Sequence, residues 1–295
     1  MSRSPKFAAS VIIPTYNREE MLYQNLRSLQ ASNIPKDDFE IIVVDDGSSD
    51  NTLDVVRNFT GGPQIRYVYQ QDNGYRAGRA RNLGIELAEG EVCILLDCGI
   101  VVSQGFVKAH IGAHAKPNQV VLGYLYGFSN TDDHAEELQA AIDALDLNDV
   151  DGTIGRLRET GRFPDLREKN YAACNDVMMD LPVPWAIAWS GNISVRREKL
   201  GDRFRFDENY RTWGAEDIDF SLSLFESGAE FSICRAACGI HLPHPKSHEV
   251  NSRSSRPNKI YLHSKFGRPE TQHLIDVQSW ELNAFLMNKR AASAA

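Results

Sequence analysis

The sequence contains no GxGxxG and no GxxxxGK(S/T) run, which disfavours a nicotinamide-dependent enzyme and a P-loop nucleotidase. It has no CxxC either. Its five cysteines, an odd number, fit a reducing compartment better than a disulfide framework. No apolar run approaches the ~18 residues of a membrane-spanning helix, and Met1 to Ser10 lacks the apolar stretch of a signal peptide. A positive balance is also lacking. Acids outnumber Lys and Arg by 40 to 32 and the formal net charge is -8, whereas a general nucleic-acid binder needs clustered Lys and Arg for phosphate contacts. Internal repeats are absent, and the short Ala/Ser tail from Ala291 to Ala295 is the one low-complexity stretch. These absences point to a soluble, cytoplasmic protein with no transmembrane segment and no nucleic-acid partner.

What is present is an α/β pattern. The chain has 295 residues, 42% of them hydrophobic, enough for a sizeable core. Ala8 to Pro14 reads as a short apolar strand stopped by proline, Thr15 to Asn17 as a turn with capping side chains, and Arg18 to Gln30 as a helix with Met21, Leu22, Leu26 and Leu29 on its period. Phe39 to Val44 repeats the design and ends in Asp45-Asp46-Gly47-Ser48; Ser49 to Thr52 can cap a helix over Leu53 to Phe59. Ile65 to Tyr69 reads as a third strand. In the run from Glu91 to Gly99, Cys93 to Leu96 reads as a further strand, buried on both faces and running straight into Asp97. Strand–helix alternation of this kind predicts a parallel sheet, and ligands of such sheets sit beyond the carboxyl ends of the strands. Asp45, Asp46 and Asp97 all fall there. A polar turn with a helix cap would explain one acid, but two adjacent acids repel each other, so a hydrogen-bonding role toward a nucleobase or ribose is the sharper reading of Asp45 and Asp46. A charge at Asp97 needs a partner, and a metal or a cation is the natural one.

Ser10-Val-Ile-Ile-Pro14-Thr-Tyr16-Asn17-Arg18 and Ile41-Ile-Val-Val-Asp-Asp-Gly-Ser48 resemble the opening of a family 2 glycosyltransferase, and Gly74-Tyr-Arg76-Ala-Gly-Arg79-Ala-Arg81-Asn82-Leu-Gly84 resembles the segment by which that family reaches its donor. The resemblance implies the GT-A fold, a mostly parallel, Rossmann-like sheet flanked by helices with a fused acceptor-binding half, and a nucleotide-sugar donor. It assigns Pro14, Tyr16, Asn17, Arg18, Asp45, Asp46, Arg76, Arg81 and Asn82 to donor binding. The arginines suit a diphosphate on chemical grounds, although not all of Arg76, Arg79 and Arg81 can face one site. The GT-A strand that ends at Asp97 normally carries Asp-x-Asp. Here it reads Asp97-Cys98-Gly99, so the second acid is missing. Asp149-Val-Asp151 spells the motif but follows a polar stretch, not a buried strand, and is set aside.

A second cluster begins at Pro182. Trp185 and Trp189 flank an apolar piece followed by Gly191 and Asn192; then comes Trp213-Gly214-Ala215-Glu216-Asp217-Ile218-Asp219. This pattern is similar to bacterial chondroitin polymerase and the β-1,4-galactosyltransferases. The likeness implies Asp217 as the base that takes the acceptor proton, Glu216 as its neighbour, and Trp189, Gly191, Asn192, Trp213 and Gly214 around the substrate. The indole of Trp213 offers a flat face for a sugar ring, and neighbouring carboxylates raise each other's pKa toward the range of a useful base. The plainer reading is a helix start with acids on its dipole, since Ile218, Leu222 and Leu224 continue a helix.

Cys234-x3-Cys238-x2-His241-x2-His244 is too compact for the usual zinc spacings. The resemblance implies instead that His241, with His244 as the fallback, joins Asp97 in holding Mn²⁺ or Mg²⁺. Ser103 to His114 reads as the start of a helix and Gln119 to Tyr126 as a strand; Asp132 to Leu145 and Asp151 to Thr160 are acidic helical pieces in an acceptor-side insertion. Lys246 to Arg268 reads as a basic loop punctuated by proline and glycine, either a lid over the diphosphate or a solvated flap, and Thr271 to Lys289 as an amphipathic helix for the core or for a partner subunit in a homo-oligomer. The expected organisation is a nucleotide-sugar-binding half over 1–115, an acceptor and catalytic half over 116–245, and a mobile basic loop with a C-terminal helix over 246–295. The expected activity is inverting transfer of a hexose-type sugar from a UDP-sugar to a hydroxyl of a small-molecule or short-glycan acceptor. The rivals are a nucleotidyltransferase, which would release pyrophosphate, and a non-catalytic sugar-nucleotide binding module, suggested by the missing second acid.

Overall fold

A computed structural model describes residues 5–127, 140, 148–201, 204–243 and 248–294. The apolar runs form the strands β1 (Phe7–Thr15), β2 (Phe39–Asp45), β3 (Gln64–Tyr69) and β4 (Gly90–Leu96), joined by the helices α1 (Glu19–Gln30), α2 (Thr52–Asn58) and α3 (Ala77–Leu87). Further along come β5 (Ile100–Val102), α4 (Phe106–Ala113), β6 (Gln119–Tyr126), α5 (Val150–Thr160), α6 (Glu168–Ala173), β7 (Asn192–Arg196), α7 (Glu216–Glu226), β8 (Glu230–His241), α8 (His248–Phe266), α9 (Pro269–His273) and α10 (Leu282–Ala294). All eight strands form one sheet in the order β3-β2-β1-β4-β7-β6-β8-β5. The first four run parallel, as the strand–helix alternation predicts, and β7 enters antiparallel between β4 and β6.

Chain order reverses at β1, with β2 and β3 to one side and β4 to the other, so the switch point lies between the carboxyl ends of β1 and β4. Every residue of β2 is buried, and helices cover both faces of the sheet. Gly84 lets α3 lie close on β1: a Cβ there would come within 2.3 Å of the Ile12 side chain. That close approach sets the position of Arg81, one turn earlier on α3.

Several expectations change. β1 does not stop at Pro14 but continues to Thr15; its ladder to β4 ends at Ile12–Leu95, so the missing proline N–H removes nothing from that side. The short strand β5 precedes α4, which begins only at Phe106. The expected basic loop over 246–268 is largely the helix α8, with Pro257 inside it. Proline normally disfavours a helix interior, but here tertiary contacts outweigh it. Leu262 is completely buried, Lys265 reaches Asp207 and Asp219 at 2.8 Å each, and Arg256 meets Asp276 at 2.8 Å. The closing amphipathic segment is two helices, α9 and α10, not one. Asp149 caps α5 by accepting from the Gly152 N–H at 2.9 Å, a structural use of the second Asp-x-Asp. The piece expected over Asp132 to Leu145 lies outside the described residues apart from residue 140, and His244 and Lys246 lie outside them entirely. Among the described residues no helix is long and apolar enough to cross a membrane.

Candidate active site

The loops after β1, β2 and β3 converge at the carboxyl edge through contacts close in sequence or between adjacent turns. Asp45 is buried and saturated: one oxygen accepts from the Gly47 and Ser48 N–H groups at 3.1 and 2.7 Å, the other from the Tyr67 hydroxyl at 2.6 Å. Asp46 accepts from the Arg76 N–H at 2.9 Å and from Gln70, with the Arg76 guanidinium 3.3 Å away. Burial raises its pKa above the ordinary value, against the hydrogen bonds from Gln70 and Arg76. Asn17 stitches loop to loop, its N–H donating to Ser48 Oγ at 2.8 Å and its side-chain oxygen accepting from the Ser49 N–H at 2.8 Å. Glu19 at the head of α1 donates its N–H to Asp50. Arg18 sits just before α1 and accepts from Cys98 Sγ through its carbonyl. Above this floor Tyr16 is 46% exposed, its hydroxyl donating to Asp72 at 3.1 Å. With Tyr69 at the end of β3, it offers an open aromatic surface on this side.

The turn after β4 carries Asp97. Asn25, fully buried on α1, holds that turn: its amide donates to the carbonyls of Asp97 and Ile100 at 3.3 and 2.7 Å, and its oxygen accepts from the Gly99 N–H at 2.6 Å. Asp97 presents a carboxylate that is 40% exposed, with one oxygen 2.9 Å from Arg81. The other oxygen lies over Gly191, where a Cβ would sit only 3.1 Å away, so a larger residue at 191 would press on it. Arg81 is buried, and its second amino group reaches Glu216 at 3.4 Å. One guanidinium thus bridges the end of β4 to the start of α7. Tyr75 donates its hydroxyl to the same Glu216 oxygen at 2.8 Å, and the other Glu216 oxygen is buried with no hydrogen-bond partner among the described residues.

The acids at the start of α7 diverge. Glu216 is tied to Tyr75 and Arg81; Asp219 is tied to Lys265 and to the Tyr210 hydroxyl at 3.0 Å. Asp217 accepts only from its own Ile218 N–H at 2.8 Å, and among the described residues no cation pairs with it. Burial, then the Glu216 charge, push its pKa well above the ordinary carboxylate range, with Arg81 pulling the other way. The sequence therefore forms a helix start with dipole-compensating acids and, within it, one carboxylate left available as a base.

Other expected residues fall into two groups. Trp213 is 43% exposed beside Gly214, at φ 102°, and the base candidate follows directly. His241 ends β8 opposite Ile100, and the next N–H, of Leu242, donates to Gly99 at 2.8 Å, so His241 lies beside the Asp97 turn. By contrast, Asn82, expected near the sugar, is buried with its amide on the carbonyl of Phe206 and on Glu208 and its oxygen on the Phe206 N–H. Asn192, expected at the substrate, is buried between His110 and the Ala237 carbonyl. Trp189 donates to the Ala186 carbonyl and packs edge-on against Trp280. Asn82 and Asn192 are thus turned into the interior, whereas Trp189 is half-buried. Asn25 and Tyr75 escaped the sequence reading. A signal existed for Asn25, a polar residue on the apolar stripe of α1 between Leu22 and Leu29.

The Glycosyl transferase family 2 model matches residues 10–204. A validoxylamine A glucosyltransferase of Streptomyces hygroscopicus subsp. limoneus is 34% identical over 83% of this chain and 54% of its own. A chondroitin synthase of Pasteurella multocida is 27% identical over 83% of this chain and 26% of its own. The chain thus spans about half the length of the first and about a quarter of the second. Among solved structures, TarS 1-349 of S. aureus in complex with UDP-GlcNAc superposes with a TM-score of 0.61 at 18% identity, covering 93% of this chain and 69% of that one. At that identity the likeness establishes the fold: a mostly parallel α/β sheet of the GT-A kind.

Proposed function

The chain belongs to glycosyl transferase family 2, and from that membership we propose that it moves a hexose-type sugar from a UDP-sugar to an acceptor hydroxyl, with inversion and with Asp217 as the base. The observation that carries this reading is the Arg81 bridge. It joins Asp97, at the switch point of the parallel half, to Glu216, the neighbour of an unpaired carboxylate with a raised pKa. The relative named as a glucosyltransferase and the neighbour holding UDP-GlcNAc favour a UDP-hexose donor.

On this reading the base and sugar of the nucleotide lie over the edge built by Tyr16, Asn17, Asp46 and Arg76. The acceptor stacks on Trp213, which brings one hydroxyl to Asp217. As that oxygen attacks the anomeric carbon, Asp217 accepts its proton, and the bond to the β-phosphate oxygen breaks, releasing UDP. A raised pKa makes Asp217 a stronger base than an ordinary carboxylate, and the charge of Glu216, itself held by Tyr75 and Arg81, contributes to that rise. One open base and a single displacement account for inversion.

A divalent cation fits this edge. The Asp97 carboxylate is 40% exposed, and His241 ends β8 opposite Ile100, the first residue of the strand that leaves the Asp97 turn, which offers an oxygen and an imidazole ligand. Among the described residues no third His, Cys, Asp or Glu joins them, so the diphosphate oxygens would complete the coordination. Asp97 and His241 would hold Mn²⁺ or Mg²⁺, which when bound neutralises charge on the leaving diphosphate.

The test is transfer itself. The protein is incubated with UDP-glucose, UDP-galactose or UDP-GlcNAc, Mn²⁺ and a panel of small polyols and short glycans, and product configuration is read by NMR. UDP release with a β-linked product from an α-linked donor is expected. A retained configuration, or selection of another nucleotide over UDP in thermal shift, would overturn the reading.

A further inference from the structure

Helix α8 reaches back more than forty residues in sequence to grip the loop that carries Trp213. The side-chain amide of Asn258 is 2.8 Å from the Gly214 carbonyl, 3.0 Å from that of Thr212, 3.1 Å from Thr212 Oγ1 and 3.4 Å from the Trp213 carbonyl. Ser254 Oγ donates to the Trp213 carbonyl at 3.3 Å. Ser255 presses on Gly214 so closely that a Cβ at 214 would lie 2.8 Å from its Cβ. Further along the helix, Lys265 binds Asp207 and Asp219, on either side of the same loop.

The loop needs such a grip. Gly214 has φ 102° and Ala215 φ 75°, and for alanine the left-handed region costs about 1 kcal/mol that surrounding contacts must offset. Ala215 is the residue from which α7 begins, without a side-chain cap, so its conformation aims Glu216 and Asp217. An unheld loop would relax toward ordinary dihedrals and turn the first helical residues with it.

We propose that Asn258 is a positioning residue: it clamps Thr212 to Gly214 and thereby fixes both the Trp213 face and the direction of Asp217. The catalytic part of this inference rests on the reading of Asp217 as base; the clamp itself does not. The amide nitrogen of Asn258 is directed at the loop itself. Its effect is on the acceptor side alone, because none of its contacts reaches the loops after β1, β2 or β3.

The experiment compares the full chain with Asn258→Ala, Asn258→Asp and Ser254→Ala, with Ile260→Ala as a control on the exposed face of the same helix. Amide hydrogen exchange is followed over 212–217, UDP affinity by calorimetry, and transfer by steady-state kinetics. Exchange over 212–217 should quicken by about tenfold in Asn258→Ala, with UDP affinity unchanged. The kcat should fall by about 10²-fold, the size of effect expected from a small misplacement of reacting groups. Asn258→Asp keeps the shape without the donors and should behave alike; Ser254→Ala should show a smaller change in the same segment. Exchange that is unchanged in Asn258→Ala, or that rises throughout the protein with a loss of UDP affinity, would overturn the clamp. Faster exchange with full turnover would overturn the positioning role. Should the unaltered chain transfer no sugar, the reading of its function fails, and exchange over 212–217 still decides the clamp.

Discussion

The two sides of the candidate site are held in different ways. On the proposed donor side, Asp45 accepts from Gly47 and Ser48 in its own turn, Asp72 from Gly74, Asp50 from Thr52, and Asp46 from Arg76 beyond the adjacent strand. These are turn-scale contacts, each formed within or between neighbouring loops at one sheet edge. On the proposed acceptor side, the 207–219 stretch is fixed from outside, by Asn258 and Lys265 of α8 and by Arg81 and Tyr75 from the first third of the chain. The first kind of site is rigid because its own backbone closes on itself. The second is only as well placed as its distant partners, and that is where the proposed base, Asp217, lies.

The largest break in this comparison is Asp217→Asn. The variant keeps the shape of the loop and every donor-side contact, and removes the proton acceptor. The kcat should drop by about 10³-fold, within the usual range for general-base loss, with UDP affinity unchanged by calorimetry. Turnover like that of the unaltered chain would rule out the assigned base. Next comes Arg81→Met, which removes the bridge between the sides. Glu216 is then left buried with Tyr75 as its remaining donor, and breaking a buried pair costs about 3 kcal/mol. Its charge also lowers the Asp217 pKa, against burial and Glu216, so its removal should move the acid limb of the residual pH–rate profile to higher pH. A limb that stays put would separate Arg81 from the base.

Legibility in the sequence follows the same division. Asp97 could be placed because a buried strand running into a carboxylate is a local pattern, and Asp45 and Asp46 for the same reason. The arginines of 76–81 could be read as cations but not sorted. Their destinations, Arg76 on Asp46 and Arg81 on Asp97 and Glu216, depend on how α3 lies on β1, which a close approach at Gly84 determines. Asn82 illustrates the limit. An amide that braces the Phe206 backbone and one that meets a sugar are chemically the same residue, and only the tertiary partner tells them apart. Pro257 misled for a related reason. Proline and charge mark a loop when local propensity decides, but α8 is held by Leu262 in the core and by ion pairs to acids far away in sequence.

Trp213→Ala sharpens the comparison at smaller scale. The ring is 43% exposed and adds little to the fold, so Tm should hold. Loss of a ring–sugar contact of about 1.4 kcal/mol would raise the acceptor KM about tenfold while the donor KM stays level. Equal changes in both would mean that Trp213 does not belong to the acceptor side.

The smallest effect is on stability, and its sign distinguishes a poised base from a merely exposed acid. The folded pKa of Asp217 lies above the ordinary 3.8, first because burial disfavours its charge and then because Glu216 repels it. Below the ordinary value both folded and unfolded chains hold the proton, and the carboxyl costs the fold nothing. As pH rises, the unfolded chain releases its proton first, and folding stability falls until the folded group also ionises. Asparagine has no such cost. Asp217→Asn should therefore match the unaltered chain near pH 4 and melt higher at pH 8, by roughly 3 °C for each kcal/mol of relief at this size. A gain at alkaline pH in a variant that has lost turnover would show that the acceptor side gives up stability to keep a carboxylate ready for a proton. Equal melting temperatures at both pH values would mean that the Asp217 charge is not disfavoured, and its role as a tuned base would fall.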